Sequence, residues 1–127
     1  MQERPIYLDL TKIRLPMSAF LSITHRLSGI YIFFITLPLL LYVINKSTVS
    51  KSSFEGLLIE LNTISLFSVI FYISISIFWY HILTGVRHLI MDFFHIGESL
   101  KGANYSSIFV ICFWLTSYLL FLGYLFI

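Results

Sequence analysis

The sequence predicts an all-α membrane protein with three transmembrane helices, and three observations carry that prediction. The chain of 127 residues is 58% hydrophobic and only 11% charged, whereas a soluble domain averages about 25% charged. Its mean hydropathy is +0.92. Three long stretches carry no ionised group. An ion at mid-bilayer costs about 2.5 kcal/mol or more, and about 20 apolar residues cross the hydrocarbon core, so such stretches mark spans. Lipid-exposed open sheet would strand backbone polar groups in hydrocarbon, which leaves helices.

The first uncharged stretch is 27–45, between Arg26 and Lys46. Pro16 and Ser18 are good first-turn residues, so helix one is expected over about 16–45. Residues 1–15 then form an N-terminal segment on the inner face. Tyr7, Leu8, Leu10 and Ile13 stand there among charges, too little apolar surface to fold alone, so this segment is expected to order against a partner. The second stretch, 61–86, contains His81 as its only group that titrates near neutrality, and helix two is expected over about 61–92. The third, 102–127, carries no charge and is helix three. No pattern stands out in 46–60, nor any internal repeat or second domain, so 1–127 is expected to be a single transmembrane domain.

Six basic residues (Arg4, Lys12, Arg14, Arg26, Arg87, Lys101) lie on one side of the membrane and two (Lys46, Lys51) on the other. The positive-inside rule then places the N-terminus inside and the C-terminus outside. A secretory signal peptide is not expected, because no small-residue cleavage site follows the first apolar run. A net charge of +2, scattered along the chain, excludes a nucleic-acid binder. Cys112 is the one cysteine, so this chain alone holds no disulfide, CxxC zinc site, iron–sulfur cluster or CxxCH haem attachment.

Chemistry must come from polar residues kept at membrane depth. On a helical wheel at about 100° per residue, His81, Gly85, His88, Asp92 and His95 fall within about 40° of His81. An imidazole to ligate metal, a glycine to let a macrocycle approach, and cationic groups nearer water for carboxylates together suit haem b. The bland alternative is a histidine bonded to a neighbouring helix, followed by an ordinary solvated helix end at Arg87, His88, Asp92 and His95. At the start of helix one, Ser22, His25, Arg26 and Gly29 share a face and cluster donors near the inner surface. Quinone carbonyls need such donors, though an arginine at a helix end also snorkels to lipid phosphates.

The segments Arg4-Pro5, Leu8-Asp9-Leu10, Ile13-Arg14, Ser22-Ile23, His25-Arg26 and Ser28-Gly29, followed by His81, Gly85, Arg87-His88-Leu89 and Asp92, resemble the cytochrome b membrane-anchor subunit of succinate dehydrogenase, the larger of its two anchors. The resemblance runs over essentially the whole chain. It implies that His81 is an axial ligand of haem b, that Ser22 and Arg26 line a quinone pocket with His25 beside it, and that His25, Arg26, Gly85 and His88 form the haem environment. It also implies a shared haem, with the three helices forming half of a haem-binding helical bundle, a second small anchor, an iron–sulfur subunit against which the N-terminal segment packs, and a flavoprotein subunit that holds FAD and oxidises succinate. The membrane is then a bacterial cytoplasmic membrane or a mitochondrial inner membrane. Alternatives are a fumarate reductase-type or other small b-type quinone cytochrome, and a cofactor-free assembly or anchor protein.

One expectation concerns the haem's second ligand. His81 and His88 are about 10.5 Å apart along one helix and cannot sandwich one macrocycle. Counting inward from the membrane boundary sets His25 level with His88, about 10 Å too shallow for His81. Another chain is therefore expected to supply the second ligand.

Overall fold

The computed structural model describes residues 15–95 and 99–126, with the side chain of Phe126 excepted, so the expected N-terminal segment lies outside the described residues. Helix α1 (Met17–Tyr31), a π-helical turn (Ile32–Thr36) and α2 (Leu37–Val49) run on as one span. Helix α4 (Leu66–Phe94) and α5 (Leu100–Phe126) form the other two, and a shorter α3 (Lys51–Asn62) lies between α2 and α4. Three helices are thus long and apolar enough to cross a membrane, and no strand occurs among the described residues.

Local chemistry accounts for each boundary. Pro16 precedes α1 in extended conformation, and the backbone N–H of Ser18 is satisfied by Asn104 Oδ1 of α5 at 3.2 Å. The π turn sits just before Pro38. A proline inside a helix removes one ladder bond and its ring crowds the carbonyl four residues back; widening the turn, so that the N–H of Leu37 reaches the carbonyl of Ile32, carries the span past that point.

Helix α3 falls largely within 46–60, where no pattern stood out in the sequence. Ser50 in extended conformation ends α2 and caps α3, accepting from the N–H of Ser53 at 3.1 Å. Leu57 is buried, and Lys46 bonds Glu60 at 2.9 Å, holding α3 against α2. The second membrane helix consequently begins at Leu66 rather than about 61. Ser65 and Ser68 form a reciprocal cap there, each side chain accepting from the other's backbone N–H. Helix α4 ends at Phe94, where His95 turns left-handed at φ 52°. The wheel of polar residues stops at that turn.

Inside and outside are inverted relative to a soluble protein. Among the described residues, the buried hydrophobic side chains are Leu21 and Leu57, whereas Ser28, Ser68, Ser74, Ser76, Thr84, Arg87 and Ser107 are all buried. Large apolar side chains such as Phe34, Phe109 and Leu120 face outward. Without a hydrophobic drive between helices in lipid, small residues and interhelical hydrogen bonds hold the bundle, each bond worth about 0.6 kcal/mol on average. On the α5 side of α4, Trp79 Nε1 donates to Ser117 Oγ (2.8 Å), Trp114 Nε1 to the Ser76 carbonyl (3.0 Å) and Tyr118 OH to the Tyr72 carbonyl (2.8 Å). On its α1 side, Thr24 meets Tyr80 and Tyr31 meets Ser74. Helix α4 is therefore the central plank, and the polar site forms where α1 crosses it.

Candidate functional site

At that crossing the His25 and His81 rings stack face to face, centroids 4.1 Å apart and planes 9° from parallel. His88 approaches the other side of the cluster, its ring 5.4 Å from that of His25. This corrects the expected depth. His25 is opposite Thr84 and Gly85, in contact with both histidines of α4, and not about 10 Å too shallow for His81. The register is set by glycines: a Cβ built on Gly29 would lie 3.3 Å from His81 Cε1, and one on Gly85 would lie 3.5 Å from His25 Cε1. Each glycine seats the imidazole of the opposite helix.

Two hydroxyls complete the cluster, and sequence reasoning had assigned neither a role. Ser28 Oγ is 2.6 Å from the carbonyl oxygen of His25, a separation that demands the hydroxyl hydrogen between them. Having only one hydrogen, Ser28 accepts from His81 Nδ1–H at 2.8 Å. Thr84 repeats the logic: it donates to the Tyr80 carbonyl at 2.8 Å and accepts from His25 Nδ1–H at 2.6 Å. Both imidazoles are thereby held as Nδ1–H tautomers with a bare Nε2. That is the tautomer a metal ligand requires, its outer N–H fixed by a hydrogen bond.

A signal for this was present. His25-Arg26-Leu27-Ser28-Gly29 and His81-Ile82-Leu83-Thr84-Gly85 are the same pattern, His-x-x-Ser/Thr-Gly, written once in each helix. Crossed antiparallel, each copy supplies the hydroxyl and the glycine for the other's histidine.

An open groove of about 480 Å³ runs over the cluster, lined by His25, His81, Ile82, Gly85, His88 and Leu89. Ser22 and Arg26 do not line it. Arg26 is exposed on α1 and Ser22 is half-buried one turn away, so the two form a separate pair flanking the histidines. Asp92 is exposed. Arg87 is not part of a solvated helix end: it is buried and turned toward α5, bonding Ser106 Oγ and the Ala103 carbonyl.

Whether these residues suit a haem can be judged from the donors. Metal–imidazole bonds of about 2 Å put two axial nitrogens about 4 Å apart with the metal between them. The faces of His25 and His81 are themselves only 4.1 Å apart, which leaves no room for a macrocycle between them. His81, which lines the groove and keeps a bare Nε2, fits one axial position; no second imidazole among the described residues fits the other. Four independent ligands for two haems do not fit this arrangement either, since His25 packs against both His81 and His88.

Residues 1–121 match the profile of the succinate dehydrogenase/fumarate reductase transmembrane subunit family. This chain belongs to that family. It is similar to the succinate dehydrogenase cytochrome b556 subunit of Coxiella burnetii, with 39% identity over 90 residues that cover 71% of each chain. It is 40% identical over 92 residues to the cytochrome b560 subunit of Porphyra purpurea, covering 70% of this chain and 71% of the other. The cytochrome b556 subunit of Rickettsia prowazekii is 29% identical over 103 residues, 80% of this chain and 77% of its own. For a member of the succinate dehydrogenase/fumarate reductase transmembrane family, a histidine crossing between two membrane helices is the chemistry to be explained.

Proposed function

We propose that this chain is the larger membrane anchor of a succinate:quinone oxidoreductase, contributing one axial ligand to a haem b and part of a quinone pocket. The observation that carries this reading is the His81 tautomer: Nδ1–H is committed to Ser28, so Nε2 keeps its lone pair, and His81 lines the groove. Bound haem b would supply a one-electron carrier at mid-membrane. Gly29 keeps the side-chain space beside His81 clear, and the Thr84 hydroxyl holds the His25 ring against it. His88 is nearly two turns nearer the end of α4 than His81 and, with Arg26, offers cationic or donating groups to propionates.

The quinone pocket is assigned to Ser22, His25 and Arg26. Arg26 is exposed in the single chain and free to donate to a quinone oxygen, Ser22 offers a second donor one turn away, and His25 connects them to the haem ligand by stacking. A pocket half-built on an exposed helix face needs other walls, which the second anchor and an iron–sulfur subunit would provide. FAD and iron–sulfur clusters belong to those partner subunits, since one cysteine cannot hold a cluster. The complex would lie in a bacterial cytoplasmic or mitochondrial inner membrane with the N-terminus inside.

The test of this reading is a visible absorption spectrum taken twice. Co-expressed with its partner anchor, the chain should yield a six-coordinate low-spin haem b; expressed alone and supplied with haem, it should not. A stable six-coordinate low-spin spectrum from the lone chain would mean that the second ligand is internal, and absence of a Soret band from the complex would favour a cofactor-free anchor.

Ser28 is expected to act as a positioning residue for His81. Ser28→Ala removes the acceptor that holds Nδ1–H, so the haem of the assembled complex should shift its midpoint potential and broaden its low-spin resonance while remaining bound. Ser28→Thr should restore both, and unchanged potential and line shape in Ser28→Ala would show that the hydroxyl does not orient the ligand.

A further inference from the structure

The structure holds a second polar feature that neither the haem nor the quinone uses. Arg87 lies outside the polar stripe of α4 and reaches the other way, toward α5, with only 6% of its surface exposed. Its Nε donates to Ser106 Oγ at 3.0 Å and its Nη2 to the Ala103 carbonyl at 2.9 Å. Both acceptors are neutral. No carboxylate bonds it among the described residues, and Nη1 has no acceptor there. Burying a guanidinium without a counter-charge is costly, and such a cation in a membrane protein ordinarily has an anionic partner.

The surroundings indicate which anion. Arg87 borders a groove of about 570 Å³ between α4 and α5, walled by Leu83, Ile90, Phe109, Val110 and Phe113. Ala103 is three residues inside the start of α5 at Leu100, so the guanidinium lies about 4.5 Å along the axis from that helix end. The charge is therefore at the shallow end and the apolar walls run toward mid-membrane. A small soluble anion would use the charge and leave those walls wet. A lipid phosphate with its acyl chain uses both.

We propose that the α4–α5 groove is a binding site for an anionic phospholipid, with Arg87 Nη1 on the phosphodiester and the acyl chain along Phe109, Val110 and Phe113. Nη1 and Nη2 lie in one plane, so a guanidinium tied to Ala103 through Nη2 has a fixed direction in which to donate its remaining hydrogens. Arg26 and the histidine cluster are on the α1 side of α4, so the lipid would not occupy the quinone pocket.

The test uses the assembled complex, purified in detergent, delipidated, and titrated with phosphatidylglycerol or phosphatidylcholine, with bound lipid read by native mass spectrometry. The wild type should retain one phosphatidylglycerol in preference to phosphatidylcholine, and millimolar inorganic phosphate should not displace it. Arg87→Gln should weaken phosphatidylglycerol retention about tenfold, the loss of a charge-assisted bond, while Arg87→Lys keeps part of it. Val110→Trp fills the groove without touching the guanidinium and should weaken retention of both lipids, so it decides the matter should Arg87→Gln fail to assemble. Wild-type retention in Val110→Trp, or in an assembled Arg87→Gln, would overturn the proposal, as would a carboxylate of another subunit found bonded to Nη1.

Discussion

Replacing Arg26 with Leu should lower succinate:quinone activity of the assembled complex by about a hundredfold or more, the scale on which a charged donor to a developing oxyanion matters. Succinate oxidation with a soluble artificial acceptor should persist at the wild-type rate, because the proposed function places the flavin chemistry in another subunit. The structure makes this split sharp. Arg26 is exposed on α1 and Ser28, two residues on, is buried against His81, so the substitution should leave the helix crossing intact. The low-spin haem should accordingly be retained through His81, with no change beyond that expected from losing one propionate contact. Wild-type quinone reduction in Arg26→Leu would move the pocket elsewhere, and loss of both activities would mean that Arg26 serves assembly.

The spans were legible because charge is so costly in hydrocarbon that its absence marks them, and the uncharged stretches 27–45, 61–86 and 102–127 needed no other information. The same rule hid α3. Lys51 and Glu55 make that segment look like an extramembrane loop, although Ser50 as a cap and Phe54, Leu57 and Leu58 at helical spacing were available as signals. The start of α4 was misplaced for a related reason: the apolar run begins before the Ser65 cap that actually starts the helix.

The candidate site was legible in its residues and misjudged in its register. Counting residues inward from a boundary fixes depth only to about a turn, since the length of the first turns outside hydrocarbon is unknown. What sets the register is which small residues meet which rings, and here Gly29 meets His81 while Gly85 meets His25. The repeated His-x-x-Ser/Thr-Gly pattern encodes that pairing, and reading it would have placed His25 beside His81. The proposal that another chain completes the haem now rests on the 4.1 Å stacking rather than on a difference in depth. Arg87 was grouped with a solvated helix end because its side-chain direction depends on α5, whose packing no periodicity within α4 reveals.

The most direct measurement is the visible and electron paramagnetic resonance spectrum of the assembled complex carrying His81→Ala, beside His25→Ala. His81 Nε2 is the one imidazole nitrogen assigned to iron, its tautomer fixed by the Ser28 hydroxyl and its ring seated on Gly29. Removing it leaves no substitute, because His25 is directed by Thr84 and His88 is nearly two turns away along α4. His81→Ala should therefore abolish the six-coordinate low-spin signature, whereas His25→Ala should keep it with an altered potential. Retention of that signature in His81→Ala, or its loss in His25→Ala with His81 intact, would contradict the assignment of His81 as the haem ligand of this chain.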